Sequence, residues 1–170
     1  NPNLSGVLLV GPRGTGKTTA VRSLPSLLPK APRSLCYYGC LPEDIEQGGV
    51  DAVCQDCAQK YARGEPLARM DQVRLVELPL NARLEDVVGS LDERAAMQGN
   101  IRIRRGILAQ ADRNLLYVDE INLLEDEVID AILDASAQGY YTVRRGGISA
   151  RYNARFVLIG SMNPEEGYLR

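Results

Sequence analysis

The sequence predicts an α/β fold in which a mostly parallel sheet is flanked by helices. The first observation is a set of four short runs that are rich in Val, Leu and Ile, at residues 6–10, 73–78, 115–118 and 155–161. Such runs are typical of parallel strands that are buried on both faces. The second observation is the chain order, which is strand, helix, insert, strand, helix, strand, helix, hairpin and strand. This order suits parallel strands that are joined by crossover connections.

Composition narrows the functions that the chain can have. Its 170 residues are 45% hydrophobic and 25% charged, an ordinary mixture for one globular domain. The 20 Lys and Arg against 22 Asp and Glu give a net charge of −2, which argues against a nucleic-acid partner. The absence of histidine excludes Ser-His-Asp catalysis and histidine-ligated metals. No run approaches the ~20 apolar residues of a membrane helix, and no signal peptide opens the chain. We therefore expect a cytoplasmic protein without a membrane partner.

A phosphate-binding loop follows the first strand directly. Residues 11–18 read GPRGTGKT and match the P-loop pattern G-x-x-x-x-G-K-[ST]. We expect Gly11, Gly14 and Gly16 to allow backbone conformations that a side chain would block, so that successive N–H groups surround the phosphates. We expect Lys17 to reach the β- and γ-phosphates and the Thr18 hydroxyl to ligate Mg²⁺. A chance glycine-rich turn is disfavoured, because a strand precedes the loop and a helical pattern follows it.

The next element is a helix predicted over residues 18–28, whose positive end would point at the phosphates. Pro25 lies inside this segment, and an internal proline costs ~3 kcal/mol or more, so we expect a break or kink near Leu24. The residues predicted to share its apolar face are Ala20, Val21, Leu24, Leu27 and Leu28.

Two adjacent carboxylates end the run at residues 115–118. Asp119 occupies the Walker B position, at which P-loop proteins hold Mg²⁺, and Glu120 could act as the general base for water. Acids are common at strand ends, and the P-loop in the same domain is what favours the catalytic interpretation.

Asn163 follows the run at residues 155–161, at the end of a strand where open parallel sheets collect ligand contacts. Its amide could bond the γ-phosphate or the attacking water. An ordinary Asn-Pro turn is an equally supported alternative. The predicted catalytic residues are Lys17, Glu120 and Asn163. The residues predicted to hold ATP and its Mg²⁺ are Gly11, Pro12, Arg13, Gly14, Thr15, Gly16, Lys17, Thr18, Thr19 and Asp119.

Four segments together resemble the AAA+ ATPases, and within them the magnesium chelatase I-subunit family. They are residues 6–24, 76–92, 104–139 and 154–170, so the resemblance covers essentially the whole chain. Its most specific parts are INLLEDEVIDAILD after the Walker B acids and MNPEEG after the last run. The family is similar to the cobaltochelatase small subunits and, more distantly, to MoxR-type AAA+ proteins.

The resemblance implies a ring-forming ATPase, expected as a hexamer, that drives Mg²⁺ insertion into protoporphyrin IX for chlorophyll or bacteriochlorophyll synthesis. A D-type subunit would bridge the ring to a porphyrin-binding H-type subunit, and in a plant or alga the location would be the plastid stroma. By position, Lys17 and Thr18 correspond to Walker A, Asp119 and Glu120 to Walker B, and Asn163 to the first sensor. A cobaltochelatase-type or other remodelling ATPase remains an alternative, as does an ATP-binding scaffold without turnover.

The family also has two β-hairpin insertions, which we expect here around residues 99–105 and over residues 140–152. The second stretch reads YYTVRRGGISARY, and its alternation and Gly-Gly turn indicate a hairpin without the resemblance. Its arginines, Arg144, Arg145 and Arg151, could contact an acidic partner or form a solvated face.

The chain stops at Arg170, before the family's last core helix, edge strand, inter-subunit arginine finger and helical lid. The prediction is therefore a truncated AAA+ core over residues 1–170, without the lid domain or the last core strand. The missing strand would lie beside the P-loop strand. Without the arginine finger we expect very slow hydrolysis, since such a residue contributes about 10³–10⁵ in rate.

All four cysteines lie in one predicted insert at residues 33–66, namely Cys36, Cys40, Cys54 and Cys57. Two close pairs separated by a short loop can surround a tetrahedral Zn²⁺ with four thiolates. The stretch between the pairs has too few large apolar residues to fold alone, so a metal would supply the order that a core cannot. A redox-active pair, free thiols and an Fe–S cluster remain alternatives.

Overall fold

The computed structural model describes residues 6–97, 99 and 103–166. The strands are β1 (Gly6–Val10), β2 (Ala31–Ser34), β3 (Ala68–Asp71), β4 (Leu75–Leu78), β5 (Gly89–Leu91), β6 (Ile103–Arg105), β7 (Leu115–Val118), β8 (Tyr140–Arg145), β9 (Ile148–Asn153) and β10 (Val157–Met162). Four parallel strands form the main sheet in the order β1-β10-β7-β4, and three antiparallel pairs, β2-β3, β5-β6 and β8-β9, lie outside that sheet. The predicted α/β class with a parallel sheet is confirmed.

The helices connect these strands and cover the sheet. The α-helices are α1 (Lys17–Leu27), α2 (Pro42–Gly48), α3 (Gln55–Ala62), α4 (Leu84–Val88), α5 (Glu93–Met97), α6 (Ile107–Gln110) and α7 (Asp126–Gln138). Single 3₁₀ turns lie at Val50–Ala52, Ile121–Leu123 and Pro164–Glu166. No helix in the described part of the chain is long and apolar enough to cross a membrane.

The central strand β7 is buried on both faces, as predicted. Leu116 and Val118 point to one face and pack with residues of α4 and α7. Leu115 and Tyr117 point to the opposite face and pack with Val21 of α1. This alternation of successive side chains makes a three-layer core with the sheet in the middle.

The longest described helix, α7, has the residue pattern and the terminal residues that favour a helix. Its buried residues Val128, Ile132 and Ala135 recur at intervals of four and three residues, which places them on one face toward the sheet. Its first turn carries Asp126, whose charge complements the positive end of the helix dipole. The helix ends at Gly139, whose left-handed φ of 74° allows the chain to turn into β8.

Strand β1, which leads to the P-loop, is not buried on both faces, so the prediction of its burial is wrong. Val7, Leu8 and Val10 are 39%, 44% and 57% exposed. The reason is that β1 is an edge strand, which pairs with β10 alone among the described strands. The strand at the opposite edge, β4, is not buried on both faces either, since Leu78 is its one buried residue. An apolar run identified each strand, but its neighbours in space determine its burial.

The helix after the loop also differs from its prediction. It includes Pro25 and continues to Leu27, so of the break or kink expected near Leu24 the break is wrong. The helix ends two residues after Pro25, and there the side-chain amide of Gln72 donates to the carbonyl oxygens of Pro25 and Leu28, where the helix has no further turn to supply N–H donors. Of the predicted apolar face, Val21 is buried and Leu24 is half-buried. The remaining members are exposed, namely Ala20, Leu27 and Leu28.

Strands β8 and β9 form an antiparallel hairpin, where the sequence predicts one over residues 140–152. Its turn residues Gly146 and Gly147 have φ of 55° and 78°, which suits the left-handed turn of a tight hairpin. Arg144 and Arg145 are exposed, while the Arg151 guanidinium lies 3.6 Å from the ring centre of Tyr140.

The other predicted hairpin, around residues 99–105, differs from its prediction. Among the described residues of this range, the only strand is β6 at Ile103–Arg105. The partner strand is β5, which ends at Leu91, and helix α5 lies between the two strands. Residues 100–102 of the predicted hairpin lie outside the described residues.

The cysteine-rich insert is closed at its base by β2 and β3, which pair antiparallel from Ala31 opposite Asp71 to Ser34 opposite Ala68. Helices α2 and α3 lie between these two strands in the chain. A small separate cluster forms its interior, in which Ile45 and Leu67 pack with the buried Cys40 and Cys57.

Candidate nucleotide-binding site

The P-loop and the ends of β7 and β10 enclose one cavity of ≈ 360 Å³ at the carboxyl end of the sheet. Parallel strands place their carboxyl ends at the same edge, so segments far apart in sequence meet there. Of the residues predicted for the nucleotide, Mg²⁺ and catalysis, Gly11 and Pro12 do not line the cavity. The lining residues are Arg13, Gly14, Thr15, Gly16, Lys17, Thr18, Thr19, Asp119, Glu120, Ser161, Met162 and Asn163.

The P-loop is joined to the sheet and closed on itself by hydrogen bonds. The backbone N–H of Gly11 donates to Met162 O at 3.2 Å, which ties the loop to the end of β10. The Thr15 hydroxyl donates to Pro12 O at 2.9 Å. Lys17 Nζ donates to Gly11 O at 2.7 Å and to Pro12 O at 2.8 Å, so its ammonium group lies inside the curve of the loop.

The glycines of the loop do not all have the role that the sequence predicts. Gly14 and Gly16 have φ of 79° and 80°, a left-handed conformation that favours glycine. Gly11 does not: its φ is not left-handed, and a Cβ there would make an ordinary 3.5 Å contact with Thr15 Oγ1. The prediction for Gly11 is therefore wrong. Helix α1 begins directly after Gly16, so the unpaired N–H groups of its first turn lie at the cavity.

A chain of hydroxyl groups links the P-loop helix to the Walker B acid. Thr18 Oγ1 lies 3.1 Å from the Tyr117 hydroxyl oxygen. That hydroxyl donates to Asp119 Oδ1 at 3.0 Å. Ser161 Oγ donates to the same carboxylate oxygen in a short hydrogen bond and accepts the Glu120 N–H at 3.2 Å. The Thr18 and Asp119 oxygens are thus held toward the same region of the cavity.

Glu120 adopts an unusual backbone conformation for a residue other than glycine, with φ of 49°. Its carboxylate accepts a hydrogen bond from the Arg13 guanidinium at 3.1 Å and is 20% exposed, whereas Arg13 is 70% exposed. This ion pair places the carboxylate at the wall of the cavity, beside the P-loop.

Asn163 lies immediately after β10 and is 5% exposed. Its side-chain oxygen accepts the N–H of Glu165 at 3.2 Å. That contact orients the amide group, and the residue lines the cavity together with Asp119 and Glu120.

Sequence reasoning missed two members of this site, Tyr117 and Ser161. Both lie in apolar runs and were interpreted as strand residues only. Tyr117 is 2% exposed and Ser161 0% exposed, and their hydroxyl groups bond within the site. The signal that could have found them is a hydroxyl side chain inside a run predicted to be buried, because a buried hydroxyl requires a partner.

The four cysteines form a second cluster, and none of them lines the nucleotide cavity. Their Sγ atoms all lie within 4.8 Å of one another, and all four are free thiols. The hydrogen bond from the Cys40 thiol and those from backbone amides lower the pKa of Cys36 to about 4. Burial raises the pKa of Cys57 to about 12. The two sulfurs thus lie in different environments, since hydrogen bonding favours the thiolate of Cys36 and burial favours the thiol of Cys57.

A three-layer α/β core with a P-loop after one strand and paired acids after another defines the class of P-loop nucleoside-triphosphatase domains. Within that class the chain belongs to the AAA domain family, whose family model matches residues 5–163.

Curated relatives and a solved structure agree with this assignment. The chain is 43% identical over 171 residues to the magnesium-chelatase subunit ChlI homolog of Methanocaldococcus jannaschii, covering 100% of this chain and 45% of that protein. It is 48% identical over 172 residues to the magnesium-chelatase 38 kDa subunit of Acidiphilium rubrum, covering 99% and 48%. It resembles a chain in the complex between subunits BchI and BchD of magnesium chelatase, with a TM-score of 0.72 and 42% identity over 100% of this chain and 50% of that chain.

The resemblance to magnesium-chelatase I subunits predicted from sequence is confirmed, and so is the AAA+ fold class. The chain spans about half the length of the curated relatives it matches.

Proposed function

We propose that this chain binds and hydrolyses ATP with Mg²⁺, as the nucleotide-binding core of a magnesium-chelatase I-type subunit. The observation that carries the ATPase function is the single cavity shared by the P-loop, Asp119, Glu120 and Asn163. The chelatase role is supported by 43–48% identity, along the chain, to proteins named for magnesium chelatase.

The P-loop supplies the phosphate-binding groups. The left-handed Gly14 and Gly16 turn the backbone so that its N–H groups and the first turn of α1 face the anion. The Lys17 ammonium lies inside the loop and exchanges its two carbonyl partners for the β- and γ-phosphate oxygens. Thr15 and Thr19 line the same cavity and offer hydroxyl donors.

Thr18 and Asp119 would hold Mg²⁺. Both offer oxygen, which is the ligand type that this cation prefers, and the Tyr117 hydroxyl joins them at 3.1 and 3.0 Å. The ion would neutralise charge on the β- and γ-phosphate oxygens. The Zn²⁺ predicted for the four cysteines has no part in this reaction, because none of them lines the cavity.

Glu120 is the residue positioned to take the proton of the attacking water. Its carboxylate lies at the cavity wall beside Asp119, and Asn163 lines the cavity from the carboxyl end of the neighbouring strand β10. A general base of this kind contributes about 10²–10⁴ in rate. The Asn163 amide would orient the water or the γ-phosphate by hydrogen bonding. A scaffold that binds ATP without turnover would have no use for a carboxylate at this position.

In the cell, ATP hydrolysis would drive Mg²⁺ insertion into protoporphyrin IX, which is bound by an H-type subunit. The I-type subunits would form a hexameric ring that contacts a D-type subunit, and the structural relative is itself part of a complex named for subunits BchI and BchD. We place the protein in the cytoplasm, or in the plastid stroma of a plant or alga.

The ATPase assignment is tested with Glu120→Gln in the full-length protein. We expect turnover to fall by about 10²–10⁴ while ATP affinity is retained, because the amide keeps the shape of the carboxylate but cannot take a proton. The control is Glu127→Gln, an exposed acid in the first turn of α7, which should keep normal turnover. Steady-state hydrolysis and fluorescent-nucleotide binding are the measurements. Unchanged hydrolysis in Glu120→Gln would remove Glu120 as the base.

The chelatase assignment is tested separately by combining the full-length protein with D-type and H-type subunits, protoporphyrin IX and ATP. Absorbance spectra should show the magnesium porphyrin when Mg²⁺ is supplied, and not when Glu120→Gln replaces the wild type. A parallel reaction contains Co²⁺ in place of Mg²⁺, and formation of a cobalt porphyrin without any magnesium porphyrin would assign the chain to a cobaltochelatase. ATP hydrolysis with neither product would overturn the chelatase role and leave the ATPase assignment standing.

A further inference from the structure

The cysteine cluster joins two segments of the insert across a small apolar interior. Cys36 and Cys40 lie on the turn that follows β2, and Cys54 and Cys57 lie at the N-terminus of α3. The interior between them contains three apolar side chains besides the cysteines, those of Ile45, Val53 and Leu67. So small a core does not normally order a loop of this length without a disulfide or a metal.

We propose that Cys36, Cys40, Cys54 and Cys57 bind one Zn²⁺ through four thiolates, and that this metal fixes the insert to the ATPase core. All four Sγ atoms lie within 4.8 Å of one another. Zn–S bonds of about 2.3 Å in a tetrahedron place the sulfurs roughly 3.8 Å apart. Small side-chain rotations therefore convert the cluster into a closed tetrahedral site. On binding, the thiols release their protons to solvent and four Zn–S bonds form, with no change of oxidation state.

Backbone amides already point at the sulfurs, as they do in structural zinc sites. The N–H groups of Tyr38 and Cys40 both donate to Cys36 Sγ at 3.3 Å. The N–H of Cys54 donates to Cys40 Sγ at 3.4 Å. Such hydrogen bonds offset the negative charge that four thiolates would place around the ion. A cluster that served only to fill space would not require its amides to face sulfur.

The Cys36–Cys40 turn also contacts the core, as helix α2 does through Glu43 and Asp44. Gly39 O accepts hydrogen bonds from Asn153 Nδ2 at 3.0 Å and Arg155 Nη2 at 2.9 Å. Tyr38 O accepts the Asn153 N–H at 3.1 Å. Arg155 also bonds to Asp44 of α2 at 2.7 Å. These contacts reach the segment between β9 and β10, so a metal that orders the turn also orders this junction.

A disulfide is a weaker explanation for the cluster. Disulfides join sulfurs only in pairs, whereas here each Sγ atom lies within 4.8 Å of the other three, which is the arrangement of a four-thiolate metal site. The donor set also defines the metal. Four sulfurs without histidine or carboxylate select Zn²⁺ or iron over Mg²⁺, and tetrahedral four-sulfur sites without inorganic sulfide are typical of zinc.

The first test is the metal content of the purified chain under reducing conditions. We expect one zinc per chain by mass spectrometry, and we expect Co²⁺ to replace it with the intense visible bands of a tetrahedral thiolate site. Cys36→Ser and Cys57→Ser should each reduce the zinc content to a small fraction. The exposed Gln59→Ser on α3 is the matched control and should keep one zinc.

The second test does not require the cysteine variants to fold. The wild-type chain is stripped with a chelator and then supplied with Zn²⁺ alone, and amide hydrogen exchange is followed in both states. We expect exchange to accelerate at least tenfold in residues 36–67 on stripping, to recover with Zn²⁺, and to stay unchanged in β7. Well under one zinc per chain with no uptake of added Zn²⁺ would overturn the proposal. Iron with inorganic sulfide would overturn it in favour of a cluster.

Discussion

The Ser161 hydroxyl lies between the two acids of the candidate nucleotide site. It donates to Asp119 and accepts the backbone N–H of Glu120, and the residue is fully buried. The Tyr117 hydroxyl contacts the same Asp119 oxygen and extends the connection to Thr18. Buried polar groups that lose a partner cost more than the hydrogen bond contributes, so these groups depend on one another. Two neutral side chains thus determine where the charged ones lie.

We therefore predict that Ser161→Ala lowers both stability and turnover. The variant leaves the Glu120 N–H without its partner and removes one of the two hydroxyl donors to Asp119 Oδ1, which should cost about 1–3 kcal/mol of the free energy of unfolding. ATP hydrolysis should fall more than ATP binding, because the P-loop itself is unchanged. Urea unfolding and steady-state kinetics measure the two effects. Ser149→Ala, on an exposed position of β9, should change neither, and wild-type behaviour of Ser161→Ala would contradict this account.

At the scale of elements, Gly89 and Gly106 allow the backbones of β5 and of the residue after β6 to lie unusually close together. A Cβ on Gly106 would lie 2.2 Å from Val87 O and 2.5 Å from the Val88 carbonyl carbon. A Cβ on Gly89, whose φ is 117°, would lie 2.4 Å from Arg104 O. Since the opposing atoms belong to the backbone, no side-chain rotation could make room. The approach of β6 to the end of α4 thus requires glycine at both positions.

We predict that Gly106→Ala disrupts this pairing and costs more than the ~1–3 kcal/mol of ordinary overpacking. The matched control is Gly64→Ala at the end of α3, where no heavy atom lies within 4 Å of the added Cβ. Its left-handed φ of 71° should limit the loss to about 1–2 kcal/mol. Urea unfolding of both variants makes the comparison. Equal losses of unfolding free energy in Gly106→Ala and Gly64→Ala would contradict the prediction, because they would show that the two backbone segments at Gly106 can move apart at little cost.

At the scale of the whole molecule, the parallel sheet leaves the outer edge of β1 without a partner strand among the described residues. Three of its apolar side chains are more than one third exposed, those of Val7, Leu8 and Val10. An exposed strand edge with apolar side chains is a template on which another chain can pair. The described residues thus expose an association surface next to the P-loop.

We predict that residues 1–170 expressed alone self-associate through β1 as concentration rises. Val7→Lys should shift the protein toward the monomer, because a charged side chain opposes pairing at an edge. Light scattering coupled to size-exclusion chromatography is the measurement. The exposed Thr142→Lys on β8 should leave association unchanged. A wild-type chain that stays monomeric at high concentration would contradict the prediction.

Much of the candidate nucleotide site could be predicted from short stretches of consecutive residues. The spacing of Gly14, Gly16, Lys17 and Thr18 is a property of eight consecutive residues, and the structure folds them as one loop. The acids after β7 could be predicted because a strand and its end are also adjacent in sequence. Tyr117 and Ser161 could not be predicted as partners, because 44 residues separate them and only the pairing of β7 with β10 brings them together.

The sequence by itself determined the order along the chain of the four strands of the main sheet, the P-loop, the paired acids, the Gly-Gly hairpin and the presence of four cysteines in one insert. These features depend on residues that are neighbours in the chain. Tertiary structure alone decided that β1 is an edge strand, that α1 continues through Pro25, that Gly89 meets Gly106 and that four sulfurs converge. Burial, backbone contact and the satisfaction of polar groups depend on distances between distant segments, and those distances exist only once the chain has folded.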